Sequence, residues 1–185
     1  MITTKLKIIN FVLFQITWFV CVIGAAKGLP WLGVALVLAA VAWHISTAQN
    51  KLAEIRLLLI AIVIGGLFDQ LMLISGLITY QSHGWSNALA PAWILALWLG
   101  FTTTLNVSLR WMRGKSLVAI LFGLMGGPLA YMGAAKLGAV SLNTSPQTYI
   151  ALAIGWAVLT PLLVKIAEHF DGFKVDEFKP DGLTQ

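Results

Sequence analysis

Six long apolar runs leave this chain little choice but to form membrane-crossing helices. They are Ile8 to Ala26, Leu29 to Ile45, Leu57 to Tyr80, Ala90 to Leu109, Leu117 to Ala139 and Tyr149 to Ile166. A hydrocarbon core about 30 Å thick takes about 20 helical residues to cross, and each run reaches or approaches that length. Lipid offers backbone groups no hydrogen-bond partner, so a span must satisfy them within itself. The runs are uniformly apolar rather than alternating, which selects helices over a β-barrel. Composition agrees: 59% of residues are hydrophobic and 10% charged, against roughly a quarter charged in an ordinary soluble domain. The expected fold is all-α, a bundle of six transmembrane helices over residues 1–166 with a polar tail over 167–185.

Charge sets the expected orientation. With the amino terminus inside, the inner segments hold Lys5, Lys7, Lys51, Arg56, Arg110, Arg113, Lys115, Lys165, Lys174 and Lys179, and the outer side holds only Lys27 and Lys136. That positive-inside bias places both termini in the cytoplasm. Trp31, Trp85 and Trp93 fall near outer span ends and Trp43 and Trp111 near inner ones, as an interfacial belt would. The net charge of +5 does not point to nucleic acid, because the cations sit between apolar runs rather than on one folded face. One cysteine, Cys21, rules out a disulfide framework. The first run exceeds a signal-peptide core of about 7 to 15 residues and five more follow, so it reads as a retained helix. Glu168, His169 and Asp171 lack a metal-ligand spacing, and His44 and His83 join no zinc or triad pattern. No metal site and no cofactor are expected.

One acid interrupts the third run. Counted from Leu57, Asp69 lies about 18 Å along the helix, near the expected midplane. An ionised carboxyl facing lipid there costs roughly 2.5 to 3.5 kcal/mol, so the side chain should point into the bundle or a wet cavity. Gly65, Gly66, Leu73 and Gly76 share its face at helical spacing, and Tyr80 continues it at i+11. Small residues let neighbouring backbones approach closely. Similar depth counting offers hydroxyl partners in Tyr131 of the fifth span and in Thr102, Thr103 and Thr104 of the fourth. Gln15 lies a turn shallower, and Asn106 and Ser108 continue a polar line along the fourth span. Such a focus fits a ligand site, and a purely structural interhelical hydrogen bond fits the same residues.

Span five carries GLMGGPLAYMGAAKLGAV. Gly123, Gly126 and Gly133 line a face with almost no side chain, beside Gly127, and Pro128 removes a backbone donor and frees the carbonyl of Leu124. Two readings stand: tight packing around a kink, or a bent helix pair opening a pocket beside Asp69.

Taken together, NFVLFQITWFVCVIGAAKGLPWLG, LWLGFTTTLNVSLRW and GGPLAYMGAAKLGAV resemble a family of small bacterial integral membrane proteins known as a domain of unknown function. The resemblance covers most of residues 10 to 140. It implies a multi-pass protein of the bacterial inner membrane and carries over no catalytic residue. Members of that family tend to be encoded beside fatty-acid-modifying enzymes, which implies a lipid-modifying enzyme as a candidate partner.

Three functions follow as expectations. The first is non-catalytic binding of a membrane lipid or small amphipathic molecule, or assistance to a lipid-modifying partner. The second is a small-solute transporter component, since six spans in 185 residues match the size of vitamin-capturing subunits and Asp69 is protonatable. The third is an intramembrane enzyme in which Tyr131 is the only depth-matched phenol to work beside Asp69. A homo-oligomer fits the Gly-rich faces as well as a single bundle does.

Overall fold

The structure, a computed structural model, describes residues 2–174. Helices α1 (Thr4–Ala26), α2 (Pro30–Thr47), α3 (Lys51–Ile74), α4 (Ala92–Leu105), α5 (Ser116–Lys136) and α6 (Pro146–His169) form a bundle, with a 3-10 turn at Arg110–Met112. Two three-residue strands, β1 (Ile78–Tyr80) and β2 (Val140–Leu142), pair antiparallel and tie the α3–α4 connection to the α5–α6 connection. Local chemistry marks the helix starts. The Thr3 and Asn50 side chains cap the first turns of α1 and α3 by accepting from Leu6 N and Ala53 N. Pro30 and Pro146 open α2 and α6, where a missing N–H costs nothing.

The interior is mainly apolar, but several polar side chains are buried within it and the exterior is apolar too, unlike that of a water-soluble protein. The interior holds Asn10, Thr17, His44, Glu54, Asp69, Thr102 to Thr104, Asn106, Thr148 and Thr160. The outside carries Leu59, Leu67, Leu117, Met125, Leu129 and many other large apolar side chains. An apolar surface of that extent is stable only against a nonpolar medium. Five helices are long and apolar enough to cross a membrane, and α4, with 14 residues, is shorter. At 1.5 Å per residue α4 reaches about 21 Å. The expected run of 90–109 is cut at its start by Pro91, which caps the helix, and at its end by Asn106, which turns out of it. Of its residues only Leu95 and Leu99 are not buried, and α1, α2 and α3 pack against α4 while α5 packs chiefly on α6.

Two further expectations are corrected. The third run was read as one helix to Tyr80, but α3 stops at Ile74 and Gly76 adopts φ +69°, a left-handed conformation that a side chain resists. The chain turns there and continues as β1. Asp69 therefore lies in the last quarter of α3, about 27 Å from its start at Lys51 and well past its middle. The polar tail expected from residue 167 is in part structured: α6 runs to His169, and residues 170–173 fold back onto the bundle end. Lys179 and the rest of the tail from residue 175 lie outside the described residues.

That end gathers the start of α1, the α2–α3 connection, the end of α4 and the end of α6. Glu54, fully buried, accepts from Asn106 Nδ2 at 2.5 Å and Gly172 N at 2.8 Å on Oε1, while Oε2 lies 2.8 Å from His44 Nε2. Gly172 O in turn accepts from Gln49 N and Asn50 N. Asp171 binds Arg110 through two hydrogen bonds of 2.9 and 2.6 Å and Arg113 at 2.7 Å. Burial alone would raise the Asp171 carboxyl, but the Arg110 and Arg113 guanidinium groups outweigh it and hold it below the usual carboxylate range. Phe173 is buried and its ring lies 5.1 Å from that of His44. Asn10 joins the same end, accepting from Ser108 Oγ at 2.7 Å and donating to the Thr103 carbonyl at 3.2 Å.

Candidate functional site

Asp69 is fully buried and saturated with donors. Its Oδ1 accepts from the Tyr80 hydroxyl at 2.6 Å and from the Tyr131 hydroxyl, and its Oδ2 accepts from Trp98 Nε1 at 2.5 Å. The acid belongs to α3, the tyrosines to β1 and α5, and the indole to α4, so one carboxyl joins four elements. Indole N–H groups are donors only and phenols donate readily, which makes a carboxyl their natural common acceptor at a fully buried position.

Glycine makes the geometry possible. A Cβ on Gly65, one turn before Asp69, would stand 1.9 Å from the Trp98 ring, so the bare backbone is the seat of that indole. Trp98 stacks on Trp156 of α6 with centroids 4.8 Å apart and planes 11° apart. Trp156 is seated against α5 by the same device. A Cβ on Gly127 would meet its ring at 2.2 Å, and one on Gly123 its backbone oxygen at 2.1 Å. The polar centre and the aromatic stack thus share a single packed layer across α3, α4, α5 and α6.

Other sequence-derived candidates lie elsewhere. Thr102, Thr103 and Thr104 do not reach Asp69: their hydroxyls donate to the carbonyls of Trp98, Gly100 and Phe101 on their own helix, at 2.7, 2.7 and 2.5 Å. That back-bonding is the usual recourse of a threonine within a helix. Asn106 belongs to the Glu54 cluster at the opposite end, where it binds Glu54, the Phe170 carbonyl and Arg113. Gln15 is exposed on α1 and makes no contact with the acid, but it lines a cavity. Gly66 leaves room for Leu95, Gly133 faces Trp18, and Gly126 has nothing outside its own helix within 4 Å, so it lines the cavity instead. Gly76 serves the turn rather than a packing face. Pro128 lies inside α5, directly after Gly127. Trp93, expected in an interfacial belt, is buried and donates to the Gln81 carbonyl at 3.1 Å, whereas Trp31, Trp85 and Trp111 are exposed.

The cavity measures about 370 Å³. It is lined by residues of α1, α4 and α5 together with Trp156 of α6 and Val140 of β2, and nine of its nineteen lining residues are Phe, Tyr or Trp. Gln15, Phe19, Phe122 and Leu129 are lining residues that remain exposed, so the opening is on the flank of the bundle rather than at an end. Trp98 and Tyr131 line it too, which makes Asp69 the anchor of its inner wall. Asp69 itself is not part of the lining.

Sequence reasoning did not single out Trp98, Trp156 or the pair His44 and Glu54. A signal existed for Trp98: an aromatic N–H inside an apolar helix needs an acceptor, and Asp69 was the nearest candidate acid, whereas the buried Trp156 N–H has no partner among the described residues. Tyr80 was placed on the correct side of the acid for another reason, since it arrives from a reversed strand and not from a continuing helix. For Glu54 no periodic signal was available, because it sits among lysine and arginine at the margin of an apolar run.

Neither a curated protein nor a solved structure matches this chain. Residues 7–162 match the profile of a family described as a protein of unknown function (DUF2878), and the chain, an apolar helical bundle with one acid-anchored aromatic layer, belongs to that family.

Proposed function

We propose that this protein is a multi-pass membrane protein that holds a lipid or small amphipathic molecule in the aromatic cavity on its flank. The observation that carries the reading is the cavity itself: about 370 Å³, lined by α1, α4 and α5 and open sideways, with an inner wall fixed by Asp69 through Trp98 and Tyr131. Its volume is within the range of about 300 to 1,000 Å³ typical of small-molecule sites, and its lining is mostly apolar with few polar groups, as such sites are. A flank opening faces the hydrocarbon, so an occupant enters from the bilayer without crossing water.

The same geometry favours binding over catalysis. All three donors around Asp69 belong to the protein, and the carboxyl is set behind the cavity wall, so a bound molecule meets Tyr131 and the indoles but not the acid. A general acid must come within hydrogen-bond reach of the group it protonates. Asp69 acts here as a positioning residue. The excess of cations at the bundle end holding both described chain ends supports a cytoplasmic placement of that end and a bacterial inner-membrane location. Assistance to a lipid-modifying enzyme is compatible with presentation of the occupant at the flank.

The test is native mass spectrometry of the full-length protein extracted in mild detergent, beside the cavity-filling variant Ala130→Phe. The native form should carry a co-purified lipid that the variant loses at unchanged fold. Equal lipid retention by both forms, or none by either, refutes the reading.

A further inference from the structure

Gln15 is the twelfth of the 23 residues of α1, with eleven on each side, so it sits at the helix midpoint. An amide at such a depth is costly to leave facing hydrocarbon. Its neighbours on the helix are engaged, Asn10 with Thr103 and Ser108, and Thr17 with the Phe14 carbonyl, but no hydrogen bond among the described residues uses the Gln15 side chain. It is exposed and it lines the cavity. Elsewhere in the lining, Tyr131 and Trp98 already give their protons to Asp69 and Trp93 donates to the Gln81 carbonyl, while the buried Trp156 indole N–H has no partner among the described residues. The lining groups that remain to meet the polar part of an occupant therefore include the Trp156 indole N–H, a donor alone, and the Gln15 amide, which both donates and accepts.

Charge decides what that part is. None of the nineteen lining residues is Lys, Arg, His, Asp or Glu. A phosphate or ionised carboxylate drawn into such a space loses its hydration and gains no counter-ion. An amide, by contrast, donates two hydrogens and accepts on its oxygen, which suits a neutral hydroxyl, ester or keto group. The nine aromatic side chains provide the apolar remainder of the surface.

Resting on the cavity reading above, we infer that Gln15 selects an uncharged, oxygen-bearing lipid, binding its hydroxyl, ester or keto oxygen, and that anionic headgroups are excluded from the cavity. Two sources share this chemistry: diacylglycerol, and a benzoquinone with an isoprenoid tail.

The experiment offers delipidated full-length protein, native and Gln15→Leu, four probes at matched concentration: dioleoylglycerol, an isoprenoid benzoquinone, dioleoylphosphatidylglycerol and oleate. Bound fractions are read by native mass spectrometry, and quenching of the cavity tryptophans by brominated dioleoylglycerol serves as an independent reading in solution. The native protein should retain at least one neutral probe in preference to both anionic ones. Gln15→Leu should weaken that retention about 2- to 12-fold, the worth of one neutral hydrogen bond, at an unchanged unfolding midpoint. Retention of dioleoylglycerol alone identifies the ester or hydroxyl as the recognised group, and retention of the quinone alone identifies the keto oxygen. Equal or better retention of an anionic probe overturns the inference, as does neutral binding that ignores Gln15→Leu. In both of those cases the cavity reading survives. Failure of the native protein to hold any of the four overturns both.

Discussion

Replacing Asp69 by Asn changes one atom and tests whether the carboxyl is needed as an acceptor on both oxygens. Three donors converge on it, two phenols on Oδ1 and the Trp98 indole on Oδ2. An amide accepts on only one side. If its nitrogen faces Trp98, two N–H groups confront each other, because an indole nitrogen has no accepting lone pair. If it turns over, the oxygen serves Trp98 and the nitrogen donates to the phenols, whose own hydrogens then lose their acceptor. Either arrangement strands at least one buried donor, at about 1 to 3 kcal/mol. Side-chain hydrogen bonds measured inside membrane proteins average about 0.6 kcal/mol, which puts the loss of two near 1 kcal/mol. The expected destabilisation is thus about 1 to 3 kcal/mol. Unfolding of the purified protein in mixed micelles, followed by indole emission, measures it directly and reports on Trp98 at the same time. A double-mutant cycle sharpens the result: Tyr131→Phe should cost less in the Asp69→Asn background than in the native one. A midpoint unchanged to within 0.5 kcal/mol, with unaltered emission and additive single changes, would refute the view that this carboxyl organises the layer.

Glycine substitutions on α5 should separate sharply. Gly123→Ala places a methyl 2.1 Å from the Trp156 backbone oxygen and should destabilise by about 1 to 3 kcal/mol in the same unfolding assay. Gly126→Ala meets nothing closer than 3.8 Å and should be tolerated to within about 0.5 kcal/mol. At the other end, Asp171 is held below its ordinary pKa by Arg110 and Arg113, so the stability it contributes is present above the unfolded value and is lost as pH falls through the lowered one. Labelling of a cysteine placed at Phe173, expressed relative to a free thiol at the same pH because only the thiolate reacts, should accordingly rise under acid, and Asp171→Asn should remove that pH dependence while raising relative labelling at neutral pH.

How much of this was legible beforehand varied with the physics involved. Long apolar runs marked the helices because hydrophobicity over twenty residues is a strong signal, and α4 came out short because one proline and one asparagine outweigh the apolar residues between them. That Asp69 points inward followed from the cost of exposing it, and the small face at Gly65 pointed to a close neighbour without saying which. The neighbour is an indole ring, and only three-dimensional packing could name it. The threonine cluster misled because depth counting ignores the acceptor each hydroxyl has within its own helix. The Glu54 cluster was invisible because its members come from residues 44, 54, 106 and 172, each ordinary in its local context.

The ribbon of β1 and β2 bears on how the chain is made. Asp69 emerges from the ribosome well before Trp98, and earlier still than Tyr131, which follows it by 62 residues. During that interval α3 carries an acid with at most two of its three eventual donors, and β1 waits for a strand that begins only at Val140. Synthesis of the first four helices therefore yields an unfinished object. Arrival of the α5–α6 hairpin closes the strand pair and delivers the last phenol together, so a truncation before residue 140 should leave a substrate for quality-control proteases rather than a smaller working bundle.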